Sequence, residues 1–109
     1  MLTISMQTCI QACLKCYEVC TRMTATHCLE TGGDHVEPDH IRLMLACSEI
    51  CRTSAHLMLI DYADHKKLCA LCATICEECA WSCEKLNGME ECVEACMRCA
   101  AACKEMANH

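Results

Sequence analysis

Four stretches of the chain place an inward-type residue at every third or fourth position, alternately, with charged and polar residues between. The first stripe is Met6, Cys9, Cys13, Cys16, Cys20, Met23 and His27. The second is His40, Met44, Cys47, Cys51, Ser54 and Met58. The third runs His65, Cys69, Cys72, Cys76, Cys79, Cys83 and Leu86, and the fourth Met89, Cys92, Cys96, Cys99, Cys103 and Met106. Spacing of 3 and 4 in alternation keeps one face of an α-helix in register and is the seam of a helical bundle. The pattern predicts helices near 3–31, 38–60, 65–86 and 89–107. Short connections after the second and third make those neighbours antiparallel. The fold class is therefore all-α, a single antiparallel up-down-up-down four-helix bundle over residues 1–109.

The breaks between stripes carry the residues that stop and start helices. Thr31-Gly32-Gly33-Asp34 ends the first helix, and Pro38 suits the first turn of the second, where its missing N–H is not needed. Asp61 and Asp64 are candidate N-caps for the third helix, and Asn87-Gly88 separates the third from the fourth. Glu90 and Glu91 lie where the positive end of a helix dipole favours them. Cys9-Ile-Gln-Ala-Cys-Leu-Lys-Cys16 and Cys92-Val-Glu-Ala-Cys-Met-Arg-Cys99 match in chemical type position by position, as a duplicated helical hairpin would.

Composition changes what the stripes mean. The 109 residues include 16 cysteines, no Phe, one Trp and two Tyr, so an ordinary aromatic core cannot be built. Fifteen cysteines lie on the stripes, and Cys28 falls one residue past the register. An even cysteine count in a short secreted chain would suggest disulfides. The first residues, Met1 to Gln7, have neither a basic segment nor an apolar run ending in small residues, so the expected location is the cytoplasm, where thiols stay reduced. No stretch approaches the ~18 apolar residues of a membrane span. The net charge of −6 and the scattered basic residues disfavour nucleic acid and anionic membranes as partners, and neither is expected.

One or two buried cysteines can serve as small apolar filler. Fifteen cannot, because a core of small residues packs loosely where Leu would fill the space. Disulfides within one stripe are excluded by Cβ separations of ~5–6 Å against the ~3.8 Å a disulfide needs. Metal binding remains. Four C-x-x-C pairs, 13/16, 69/72, 76/79 and 96/99, taken alone suggest zinc or an iron–sulfur cluster. Here they sit in helical runs beside seven C-x-x-x-C pairs, which spreads the ligands along an axis instead of around a point. Charge favours Cu(I). Zn²⁺ held by four thiolates leaves a local charge of about −2, and several such sites would repel one another in a low-dielectric core. Exchange of one H⁺ for one Cu⁺ keeps the interior neutral however full it becomes, and thiolate and thioether are the soft ligands that select Cu(I). A zinc or iron–sulfur protein and a thiol redox sensor stand as the alternatives.

The run Cys69-Ala-Leu-Cys-Ala-Thr-Ile-Cys-Glu-Glu-Cys-Ala-Trp-Ser-Cys83, with the first- and fourth-stripe patterns, resembles the bacterial copper storage proteins over essentially the whole chain. The resemblance implies a homotetramer of four-helix bundles, each holding many Cu(I) ions on bridging thiolates. Members without a twin-arginine signal are cytosolic. It also implies that Cys9, Cys13, Cys16, Cys20, Cys28, Cys47, Cys51, Cys69, Cys72, Cys76, Cys79, Cys83, Cys92, Cys96, Cys99 and Cys103 line the store, with Cys28 off register. A copper chaperone or chelator would be a transient partner.

Antiparallel topology sorts the stripe ends. Met23, His27, Cys28, His40, Met44 and Met89 gather at one mouth, where His27, His40 and Met44 are candidate ligands. The family's His and Met at the end where copper enters point the same way. Met6, Met58, His65 and Met106 gather at the other end, with Leu2, Leu57 and Tyr62 expected to seal it. His35 and His109 are expected to be solvated. Lys15, Glu18, Glu77, Glu78, Glu84, Lys85, Glu94 and Arg98 fall on solvated faces. Ile41, Leu45, Ile50, Leu59 and Ile60 lie off the second stripe, as an association face between subunits would. No nucleophile stands beside a base at a plausible spacing and no phosphate-binding glycine loop occurs, so the chain is expected not to be an enzyme.

Overall fold

The computed structural model describes residues 2–108; Met1 and His109 lie outside them. Four long helices form where the stripes predict: α1 (Ile4–Met23), α2 (Pro38–Leu59), α3 (His65–Glu84) and α4 (Glu90–Ala107). Each packs on two neighbours in a closed ring, α1 on α2 and α4, and α3 on α2 and α4. The molecule measures 45 × 19 × 19 Å. A 20-residue helix is ~30 Å long, so helix length sets the long axis.

The ends are fixed by side chains and backbone in specific ways. Thr3 caps α1 by accepting from the Met6 N–H at 3.1 Å. Glu37 caps α2 through its own carboxylate, which accepts from the His40 N–H at 3.1 Å, directly before Pro38. Asp61 is not an N-cap of α3. It adopts a left-handed φ of 54° at the end of α2, where the Tyr62 N–H donates to the Leu57 carbonyl and the Asp61 N–H to the Met58 carbonyl. Those two bonds are the Schellman closure of a helix C-terminus. Asp64 does precede α3, without a side-chain bond to the helix N–H groups.

The first helix departs from the expected continuous run to residue 31. After Met23 the chain makes a π turn over Thr24–Cys28, then a single α turn over Leu29–Thr31. The Thr24 and Thr26 hydroxyls donate to the Cys20 and Arg22 carbonyls at 2.6 and 2.7 Å. Hydroxyls bonded back to the preceding turn loosen the normal ladder and bend helices. A π turn accommodates one extra residue, so the face shifts by one position: Cys28 turns into the core and His27 turns out of it.

The core consists of the cysteines, six methionines, Val19, Ile10 and a set of alanines. Ala73 and Ala80 on α3, with Ala95 and Ala100 on α4, flank the sulfur rows and let the helices approach. The expected loose packing is not found, because neighbouring sulfurs touch at 3.5–4.0 Å. Ion pairs stay outside. Among those between described residues, Arg22 to Glu91 and Lys104 to Glu77 join helices, each at 2.7 Å. Of the five apolar residues off the second stripe, Ile41 and Ile50 pack partly onto the core, while Leu45, Leu59 and Ile60 are exposed.

Candidate metal centre

All sixteen cysteines are free thiols and each is shielded completely from solvent. Eleven of the sulfurs, those other than Cys28, Cys69, Cys79, Cys83 and Cys92, form one connected ladder with contacts of 4.0 Å or less. Between α1 and α4 the contacts are Cys9 to Cys103 at 3.7 Å, Cys13 to Cys103 at 3.6 Å, Cys16 to Cys96 at 3.8 Å and Cys20 to Cys96 at 3.7 Å. Between α2 and α3 they are Cys51 to Cys76 at 3.5 Å, with Cys51 to Cys72 and Cys47 to Cys76 at 3.7 Å. Cys51 also reaches diagonally to Cys99 at 3.7 Å, and Cys47 to Cys96 at 3.9 Å. These are contact distances, well beyond the ~2.05 Å of a disulfide.

Four groups have sulfurs close enough to share an ion: Cys9/Cys69/Cys103, Cys13/Cys72/Cys99/Cys103, Cys16/Cys51/Cys76/Cys99 and Cys16/Cys20/Cys47/Cys96. Cys16, Cys99 and Cys103 each belong to two groups, so ions in adjacent groups would be bridged by common sulfurs. The arrangement is a continuous column of donors.

Proton sharing sets the acidity of the column. Cys28, which stands apart near one end, is pushed up by burial and then by the charges of Cys92 and Cys79. Cys20 and Cys51 are also raised, first through their bonds to Cys16. Thiols that collect S–H donors move the other way: Cys79 is lowered to about 6, chiefly by Cys20, and Cys99 to about 7, chiefly by Cys103. No Lys or Arg is buried among the described residues to balance a thiolate, so only a metal cation can neutralise many at once.

The mouth is built as expected with two corrections. His40 is buried, its Nε2 3.8 Å from the Cys28 sulfur and its Nδ1 2.8 Å from the Ser82 hydroxyl. Met44 is fully buried, its sulfur 3.5 Å from Cys79 and 3.6 Å from Cys83. Met89 lies 3.9 Å from Cys28. His27, expected beside His40, instead packs against the α3–α4 loop: its Nε2 is 3.2 Å from the Asn87 carbonyl. Its ring occupies the space that a Cβ on Gly88 would need, at 2.8 Å. His35, expected to be solvated, is buried edge-on against His27 and meets the same Asn87 carbonyl at 2.8 Å. The two histidines clamp the loop. Ser82 was missed by sequence reasoning. It lies off the seam, and only the fold brings it to His40, making a thiol–imidazole–hydroxyl chain where no such pairing was expected.

Two clefts open at this end. One, of about 410 Å³, reaches Cys83 and Met89 between Glu84, Glu90 and Glu94. The other, of about 210 Å³, reaches His40 and Ser82 between Asp34 and Glu37. At the opposite end Met6, Met58, His65 and Met106 are buried as expected and Leu2 is partly buried against the core, but Tyr62 is half exposed.

A sequence profile of the copper storage proteins matches residues 3–108. An uncharacterised cysteine-rich protein of Bacillus subtilis, YhjQ, is 39% identical over 79 residues, covering 72% of each chain. The crystal structure of a Nitrosospira multiformis protein superposes with a TM-score of 0.95 at 54% identity, over 95% of both chains. The Cu(I)-bound copper storage protein BsCsp3 superposes at 0.86 with 37% identity, over 94% of this chain and 98% of that one. The apo form of copper storage protein 3 from B. subtilis gives 0.82 at 38%, over 93% and 97%. With the profile spanning nearly every residue and the bundle shared with both metal-bound and metal-free relatives, this chain belongs to the copper storage protein family.

Proposed function

We propose that the bundle is a cytoplasmic store that takes up many Cu(I) ions, on the order of one per cysteine, and performs no catalysis. The carrying observation is the burial of all sixteen thiols, most of them in one axial column, with no Lys or Arg buried beside them among the described residues. Leaving a charge unpaired in such an interior costs several kcal/mol per ion, and Cu⁺ exchanged for H⁺ avoids that at any degree of filling. A reducing compartment keeps the thiols available. Anaerobic titration of the reduced protein with Cu(I), followed by gel filtration and elemental analysis, tests the reading. About one ion per cysteine is expected, and saturation at one to four ions would sink it.

Copper enters at the His40 end. Both clefts there are rimmed by carboxylates and end on His40, Cys83 and Met89, so an arriving cation meets acidic groups, then imidazole and thioether, then thiolate. All sixteen cysteines, His40 and Met44 are the proposed ligands, whereas His27 positions the loop. Exchanging His40 and Met44 together for Leu should slow loading from a Cu(I) donor while leaving most of the capacity. Leu45, Leu59 and Ile60 supply an apolar face for association into the homotetramer; light scattering should give a mass of four chains.

One observation favours a second ion. The six sulfur separations among Cys16, Cys20, Cys47 and Cys96 span 3.7–4.0 Å. A tetrahedron of that size has its centre about 2.3 Å from each sulfur, the Zn–S length. Zinc at this one group, displaced as Cu(I) fills the column, would show as one equivalent of Zn²⁺ released during the titration.

A further inference from the structure

The end of the bundle away from His40 carries donors that a simple apolar plug would not need. Cys9, Cys69 and Cys103 close the thiol column there, their sulfurs within 4.8 Å of one another. One helical turn further out stand Met6, three residues before Cys9; Met106, three after Cys103; and His65, four before Cys69. Met58 completes the layer, its sulfur 3.9 Å from the Cys69 sulfur. Each helix thus contributes one donor, three thioethers and one imidazole, and all four side chains are buried.

Leu at all four positions would seal the end with stiffer, better-defined packing. The imidazole is the revealing choice. His65 is 92% buried, and its Nδ1 is shut off from solvent with no hydrogen-bond partner among the described residues. Ser54, on α2, has a second buried polar atom left without a partner. Elsewhere on the same helix Ser48 satisfies its hydroxyl on the Met44 carbonyl at 2.9 Å. An unmade bond at a buried nitrogen costs ~1–3 kcal/mol, and a metal ion removes that cost.

We propose that Met6, Met58, His65 and Met106 form a separate copper site that holds one Cu(I) through neutral donors. This rests on the Cu(I)-storage reading and adds to it a site outside the thiol column. Thioether and imidazole are ligands that Cu(I) accepts and that bind Mg²⁺ or Ca²⁺ poorly. Because no donor is a thiol, the ion binds without displacing a proton and leaves the site with one positive charge. It is therefore held less tightly than the thiolate-bound ions, fills last and leaves first.

Two measurements on the full chain test the site. Crystals of the fully Cu(I)-loaded protein, measured on both sides of the copper absorption edge, should show an anomalous peak within the Met6/Met58/His65/Met106 layer beyond those in the thiol column. In solution, the double variant His65→Leu and Met106→Leu should bind one copper fewer per chain, with the fraction that resists a competing chelator unchanged. A filled thiol column with no peak in the end layer, or with a water there instead, would overturn the proposal and leave storage standing. A chain that binds no copper anywhere would overturn both. The crystal measurement uses the unaltered protein, so it decides the matter even if the variant folds poorly.

Discussion

His40 shows how a single position couples folding to pH. Burial pushes its pKa below the ordinary 6.5, the nearby His35 adds to the shift, and Glu37 partly opposes it. The unfolded chain therefore binds the proton more readily than the folded one, and stability rises with pH across this range. The contribution is complete above about 6.5 and is lost as pH falls through the lower folded value. Thermal melts of the reduced, metal-free protein should accordingly drop between neutral and mildly acidic pH. His40→Gln, which cannot titrate but can still bond Ser82, should flatten that drop. An identical pH dependence in the variant would remove His40 as its source. At this scale the sequence was an uneven guide. His40 and Met44 could be placed from spacing alone, since both sit on a regular seam, whereas Ser82 and the Asn87 carbonyl become partners only through packing between distant segments.

The π turn at Thr24–Cys28 is where element-level reading went astray, and it has a direct test. The 3,4 spacing follows from α-helix geometry, which is why all fifteen seam cysteines were legible as core. Extending the same period past Met23 selects His27, because nothing in a period anticipates an extra residue in the turn. The sign available beforehand was Cys28 itself, one place out of step. If the turn is a one-residue insertion absorbed as a bulge, deletion of exposed Ala25 should return the segment to plain α-helix with Cys28 still facing inward. That variant should fold with unchanged copper capacity. Deleting Lys15, in contrast, rotates one side of α1 by about 100° relative to the other and should cut capacity and lower the melting temperature sharply. Equal damage from both deletions would show that the π turn is required for more than register. The caps carry a related lesson: Asp61 looked like the start of α3 because aspartate favours N-caps, yet aspartate also tolerates the left-handed conformation that ends α2.

Across the whole molecule, charge conservation becomes a countable quantity. With most thiols protonated at pH 7, each Cu⁺ bound in the column must expel a proton. Unbuffered titration should therefore release at most one H⁺ per ion, falling short to the extent that Cys9, Cys16, Cys47 and Cys72, with Cys79 and Cys99, are held below the ordinary thiol value by the S–H donors around them. Release of two protons per ion would instead indicate a divalent guest or a different thiol usage. The complete shielding of every cysteine has a separate consequence for time. No thiol can meet a donor molecule while the bundle is fully closed, so part of it, on the proposed route the clefts at the His40 end, must widen before an ion passes inward. Such openings are local excursions with their own free energy and rate. When donor is abundant, loading should therefore stop accelerating and settle at a ceiling fixed by how often the bundle opens. A small thiol-alkylating reagent, which needs the same opening, should level off at the same ceiling. The protein's filling speed would then be a property of its own motion, unaltered by the identity of whatever molecule brings the copper.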